Sequence, residues 1–183
     1  QVQQSFESSL AHLHVGHLDA LVLHGPSVRE GLAPQDVEAW RAMEGLYAQG
    51  GTRLLGVSNV SAEQLLTLCA QARVVPALVQ NRCFARYGWD AKVRAVCRER
   101  GILYQGFSLL TANQGELLHP EVARIARRLA ATPAQVVFAF ARQVGMVCLT
   151  GSSDPAHLAE DLASSGLTLT AEEVGSLEAL SSG

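Results

Sequence analysis

Arg53-Leu54-Leu55-Gly56-Val57-Ser58-Asn59, followed by Ser61 and, three positions later, Gln64, is the stretch on which the reading of the fold turns. The run at 53–59 is short, apolar and closed by a polar pair, the pattern of a β-strand. Ser61 with Gln64 has the spacing of a capping box, which predicts a helix reaching about residue 72. A strand that leads directly into a capped helix is one β/α unit, and the same order recurs on both sides. Upstream, Val2, Phe6, Leu10 and Leu13 fall at helical spacing over residues 2–13. Leu18-Asp19-Ala20-Leu21-Val22-Leu23-His24 then reads as a strand stopped by Gly25-Pro26. Residues 34–49 predict a helix with Val37, Trp40, Leu46 and Tyr47 inward.

Downstream, Pro76-Ala77-Leu78-Val79-Gln80-Asn81 reads as a third strand. Residues 90–100 predict a helix closed by Gly101, and Ile102 to Phe107 a fourth strand. Helices follow at 120–130 and 133–143, the second opened by Thr132-Pro133. Gly145 to Thr150 is the fifth strand, and helices at 155–164 and 171–180 end the chain. The five strands are continuously apolar, as expected of parallel strands covered on both faces. The pattern is α/β and permits an open doubly wound sheet or a (β/α) barrel. No G-x-G-x-x-G follows the first strand, which argues against a dinucleotide-binding doubly wound sheet. Polar residues gather at the strand ends: His24, Ser58-Asn59, Gln80, Ser108 and Ser152-Ser153. In a barrel this is the C-terminal face, where sites are built.

Composition narrows the function classes. The chain has 183 residues, 48% of them hydrophobic and 17% charged, with a formal net charge of -3. That balance gives no general attraction to nucleic acid or to an anionic membrane. No apolar run approaches the roughly 20 residues of a membrane span, and the first residues lack the order of a signal peptide. A cytoplasmic location is the expectation. Cys69, Cys83, Cys97 and Cys148 are scattered, without C-x-x-C or zinc-finger spacing, so free thiols are expected. His12, His14 and His17 do not have metal-ligand spacing and read as surface residues, so no metal site is expected. Thirteen arginines accompany a single lysine, Lys92.

Taken together, Leu18 to Pro26, Gly56-Val57-Ser58-Asn59, Pro76-Ala77-Leu78-Val79-Gln80, Gly106-Phe107-Ser108-Leu109-Leu110 and Gly151-Ser152-Ser153-Asp154-Pro155 resemble, in order and spacing, strands four to eight of the aldo-keto reductases. These are NAD(P)H-dependent carbonyl reductases built on a TIM barrel. The resemblance spans essentially the whole chain. It implies a partial (β/α) barrel of about five units, a single domain over residues 1–183, with the first three β/α units absent. In the family those units supply an aspartate, the proton-donating tyrosine and a lysine. None of Tyr47, Tyr87, Tyr104 and Lys92 matches those positions.

The same resemblance implies roles. His24 would orient a substrate carbonyl. Ser58, Asn59 and Gln80 would hold the nicotinamide carboxamide, since Asn and Gln offer both donor and acceptor. Phe107 would stack under the nicotinamide, and Ser108, Leu109 and Leu110 would cover the pyrophosphate. Gly151 and His157 stand where NADPH-preferring members place cations. Ser152 and Ser153 remain as hydroxyl donors, next to a helix N-terminus able to favour an anion. Glu160 and Asp161 match positions near the adenine. The cofactor implied is NADP or NAD, with weak or absent binding in this chain and a preference that is slight or tilted to NAD. The substrate implied is a small carbonyl compound. Tyr87-Gly88-Trp89 and His119-Pro120 are candidates for a substrate pocket or for local packing. Two readings compete: a reductase inactive as this chain alone, and a non-catalytic module binding a nucleotide or a protein. In either case open strand edges and apolar residues such as Val22, Leu55, Val79 and Leu149 lead us to expect a homo-oligomer, or a separate N-terminal fragment, covering those edges.

Overall fold

Each predicted strand forms, and each leads into helix. The computed structural model describes residues 1–182. The strands β1 (Leu18–Leu23), β2 (Thr52–Ser58), β3 (Leu78–Arg82), β4 (Leu103–Phe107) and β5 (Met146–Cys148) make one sheet in the order β1-β2-β3-β4-β5. The pairings are parallel, with Val22 opposite Gly56, Ser58 opposite Gln80 and Gly106 opposite Cys148. The helices are α1 (Val2–Leu13), α2 (Pro34–Ala48), α3 (Ala62–Gln71), α4 (Ala91–Arg100), α5 (Gln114–Leu117), α6 (Pro120–Leu129), α7 (Pro133–Gln143), α8 (Pro155–Ala163) and α9 (Ala171–Glu178). The Ser61–Gln64 capping box opens α3, and Thr132 with Gln135 makes the same device at α7. Among the described residues no helix is long and apolar enough to cross a membrane.

The chain divides into two compact units, Gln1–Gln80 with Ala95–Leu103, and Asn81–Arg94 with Tyr104–Gly183. In the first, Trp40, Met43 and Leu46 of α2 and Leu65 and Leu68 of α3 are buried, as are Leu55 and Val57 of β2. Glu44 is buried too. Its carboxylate accepts from the backbone N–H groups of Arg73 and Val74 at 2.7 and 2.9 Å, while the Trp40 indole donates to the Val74 carbonyl. A buried carboxylate is tolerated when it is bonded in this way. Tyr47 does not face inward as its spacing predicts; it is 39% exposed. Phe6 of α1 fills that end of α2, its ring lying 2.8 Å from where a Gly51 Cβ would be.

The second unit holds a polar cluster beside an apolar core that includes Val122, Ile125, Val136 and Phe140. The Asn81 amide and the Tyr104 hydroxyl both donate to the Asp90 carboxylate at 2.8 Å. Burial raises the Asp90 carboxyl above its ordinary value, and the two donors oppose that rise. Trp89, fully buried, donates to the Leu177 carbonyl and packs 5.0 Å from Phe140. Arg94 reaches the Trp89 carbonyl and pairs with Glu178 at 2.7 Å. Arg128 makes a two-pronged pair with Glu173, which also belongs to the capping box of α9.

None of the four cysteines is in a disulfide. Burial pushes the Cys83 thiol up to about 12 and the Cys148 thiol up to about 11, the environment of unreactive thiols. The strands are not covered evenly on both faces, because Leu54, Leu103 and Val147 remain 39–45% exposed.

Gly56 shows how tightly β2 and β3 pack. A Cβ there would lie 2.5 Å from Leu78 Cδ1 and 3.1 Å from the Leu78 carbonyl oxygen. Leu78 is itself buried and cannot swing away freely. We expect Gly56→Ala to destabilise the chain by about 1–3 kcal/mol, the usual range for overpacking. Urea unfolding checks this, and a midpoint unchanged from the parent would show that the ladder can open.

Candidate active site

Parallel pairing sends neighbouring strands out of the same edge of the sheet, so within each unit the polar residues that close neighbouring strands arrive together. In the first unit they are tied by direct hydrogen bonds. The Asn59 amide donates to the His24 carbonyl at 2.7 Å. The Ser58 hydroxyl and the Asn59 backbone N–H both donate to the Gln80 carbonyl. Gly25 lets the exit of β1 approach the exit of β2, since a Cβ there would sit 3.0 Å from the Ser58 carbonyl oxygen and 3.2 Å from Asn59 Cβ. Asn59 turns through the left-handed region at φ 53°, which asparagine tolerates better than most residues. Ser58 is buried, whereas His24 and Asn59 are exposed. The imidazole of His24 thus meets solvent, while its backbone is held by its neighbour.

In the second unit the exit of β4 turns through Ser108 at φ 56°. A cleft of about 350 Å³ lies there, lined by Phe107, Ser108, Leu110, Leu149, Thr150 and Gly151 among others. Asn113 positions this wall. Its amide is fully buried and accepts from the Ala85 N–H at 2.7 Å while donating to the carbonyls of Cys83 and Leu109. The loop after β3 and the loop after β4 are joined through this one side chain. Among the described residues no group of His, Cys, Asp and Glu could hold a metal ion.

The region after β5 carries acid. Asp154 caps α8, accepting from the Ala156 N–H at 2.8 Å, and also stands 3.9 Å from His157. Its own N–H is bonded to the Ser152 hydroxyl oxygen. Ser153, His157 and Glu160 are exposed, and Asp161 accepts from the Thr150 hydroxyl at 2.9 Å. The helix N-terminus expected to favour an anion is therefore already answered by a carboxylate.

The model of the aldo/keto reductase family matches residues 1–182. This chain belongs to the aldo/keto reductase family. It is 31% identical over 177 residues to the uncharacterized oxidoreductase YtbE of Bacillus subtilis (strain 168), covering 96% of this chain and 60% of that protein. It is 31% identical over 182 residues to an aldo-keto reductase of Mycolicibacterium vanbaalenii, covering 99% and 63%. The crystal structure of an aldo/keto reductase from Brucella melitensis superposes with a TM-score of 0.88 at 24% identity, covering 98% of this chain and 66% of that one. The chain thus spans about three-fifths of the length of the curated relatives it matches, in their C-terminal part. Its five β/α units are those of an aldo/keto reductase TIM barrel, and members of the family generally use NAD(P)H.

Several residues of the site carry no local signal in the sequence. Asn113 bonds partners 28 and 30 positions away. Arg82, the last residue of β3, holds its guanidinium 5.8 Å from the centre of the Phe107 ring. His119, a pocket candidate by position, caps α6 through its ring nitrogen. In Tyr87-Gly88-Trp89 the two aromatics part, with Tyr87 71% exposed and Trp89 buried.

Asn113→Ala would strand one backbone N–H and two carbonyls in a buried site. We expect a loss of about 2–4 kcal/mol, from one lost network and its unsatisfied groups. Thermal unfolding measures it, and a loss below about 0.5 kcal/mol would mean that water replaces the amide at no cost.

Proposed function

We propose that this chain carries the carbonyl-orienting and cofactor-holding portion of an NAD(P)H-dependent aldo-keto reductase acting on a small aldehyde or ketone. The observation that carries the reading is the tying of three strand exits, at His24, at Ser58-Asn59 and at Gln80, by hydrogen bonds among themselves. Such ties hold the Asn59 amide and the backbone that carries His24 and Gln80 in place before any ligand arrives, which is what positioning requires. The residues fit the cofactor on a further point. Asn59 spends one amide hydrogen on His24, and its carbonyl oxygen has no partner among the described residues. That oxygen can accept from a primary amide.

A bound reduced nicotinamide would supply hydride to the carbonyl carbon. His24 would donate a hydrogen bond to the carbonyl oxygen, fixing its direction and stabilising the charge that develops on it. Ser58 and Asn59 would hold the carboxamide and so select the ring face presented to the substrate. Phe107 would offer the flat surface beneath the ring. Ser108 and Leu110 would cover the pyrophosphate.

Within this chain no tyrosine is placed to give the proton. Tyr104 is buried, its hydroxyl is committed to Asp90, and burial raises its pKa. Tyr47 and Tyr87 are on the surface, and Lys92 is exposed on α4. Proton transfer by a positioned group contributes about 10²–10⁴-fold. We therefore expect the 183-residue chain alone to reduce a reactive aldehyde such as a nitrobenzaldehyde negligibly with either NADH or NADPH. Turnover near 1 per second, ordinary for enzymes, would show that it carries its own acid.

Cofactor choice follows from the charges after β5. Gly151 contributes no cation, Asp154 answers the end of α8, and Glu160 and Asp161 add negative charge. The 2′-phosphate of NADP would meet that field unfavourably. We expect NADH to bind at least as tightly as NADPH in a fluorescence titration. Asp154→Asn keeps the helix cap and removes one charge, and should shift the preference toward NADPH by about threefold or more, as two like charges separated by several ångströms imply. A tenfold NADPH preference in the parent chain would sink this assignment.

A further inference from the structure

Arg82 is absorbed by none of the roles above. It closes β3, directly after Asn81, whose amide donates to Asp90. The Tyr104 hydroxyl on β4 donates to the same carboxylate. Asn81 and Tyr104 therefore share one face of the sheet. Side chains alternate along a strand, so Arg82, one residue on, and Phe107, three residues on, share the opposite face. The distances agree: the Arg82 guanidinium lies 5.8 Å from the Phe107 ring centre and 6.0 Å from that of Phe84. Arg86 stands 5.0 Å from the same Phe84 ring. Both arginines are exposed, and among the described residues neither has a carboxylate partner. Aromatic rings rather than acids hold these two charges.

We propose that Arg82 makes the site discriminate the redox state of its dinucleotide, binding the reduced form more tightly than the oxidised form. The inference rests on the reading that Phe107 stacks on the nicotinamide. A ring stacked on Phe107 lies about 3.5–4 Å from it. Whichever face it takes, the guanidinium is then within about 10 Å of the nicotinamide. That ring is neutral when reduced and carries one positive charge when oxidised. A fixed cation at this distance opposes only the oxidised form. Between the dielectric of water and that of a protein surface, the effect is a factor of about two to twenty. Arg86 adds to it in the same direction. The sugar and phosphates are identical in the two forms, so the ratio of their affinities reports on the ring alone, and the change in that ratio on removing the Arg82 charge reports on the electrostatic part.

The test is the ratio of dissociation constants for NAD⁺ and NADH, measured by calorimetry on the parent chain, on Arg82→Gln and on Arg82→Lys. Each is measured at low salt and at about 0.5 M salt, where screening acts over only a few ångströms. In the parent chain the ratio should favour NADH and shrink with salt. Arg82→Gln should lower it at least twofold, and Arg82→Lys should keep most of it. Because each ratio is taken within one protein, a general loss of affinity cancels. An Arg82→Gln ratio equal to the parent's overturns the inference and leaves the cofactor reading standing. Should Arg82→Gln fail to fold, a parent ratio that does not change with salt overturns it as well. A parent chain that binds neither form overturns the cofactor reading and this inference together.

Discussion

The parallel hydrogen-bond ladder is the constraint on which the rest of this structure depends. Five strands running the same way must leave the sheet at the same edge, and each must be carried back by a helix. The closeness of that ladder is set at Gly56, where the side chain of Leu78 occupies the place of a Cβ. Only with β2 and β3 this close can the Ser58 hydroxyl and the Asn59 N–H both reach the Gln80 carbonyl. Gly25 does the same for the exit of β1. Two glycines in the first unit thus convert a general property of parallel sheets into a particular arrangement of polar groups.

Buried and half-buried polar side chains do the corresponding work behind the strands. Glu44 holds the turn at residues 73–74, Asp90 gathers Asn81 and Tyr104, and Asn113 joins the loops after β3 and β4. Every buried polar side-chain atom among the described residues has a hydrogen-bond partner. A satisfied network of this kind specifies one arrangement, because any shift leaves a donor or acceptor unpaired in a medium of low dielectric. The apolar core would tolerate small slides of one element on another. The amide of Asn113, with three partners at fixed angles, would not.

The sequence made the elements legible because their signals are local. Apolar runs, polar exits, capping boxes at Ser61 and Thr132 and a glycine at 101 all lie within a few residues of what they predict. Positions such as Ser58, Gln80 and Phe107 were legible as strand ends, and their suggested roles came from resemblance to the family. What could not be read involves partners far along the chain. Glu44 and Asn113 are polar residues with no pattern of their own, bonded to atoms about 30 positions away. Trp89 and Asp90 both take left-handed backbone conformations without glycine, held by bonds to Leu177, Asn81 and Tyr104. The four-residue helix α5 is too short to show a period. Tyr47 has inward spacing, yet Phe6 of α1 fills that end of α2.

Charged groups of the second unit are held in different ways, and the difference bears on what a ligand would meet. At α8 the positive end of the helix is answered by Asp154 from within the chain, and His157 stands beside the same carboxylate. Arg128 is likewise answered by Glu173, and Arg94 by Glu178. These charges are matched inside the chain, so an arriving ion would have to displace a partner already in place. Arg82 and Arg86 are held differently, against Phe84, Tyr87 and Phe107. An aromatic face attracts a cation without cancelling its charge. The field of these two arginines therefore extends beyond the rings that hold them. A neighbouring group whose own charge changes during a reaction would be the one to register it.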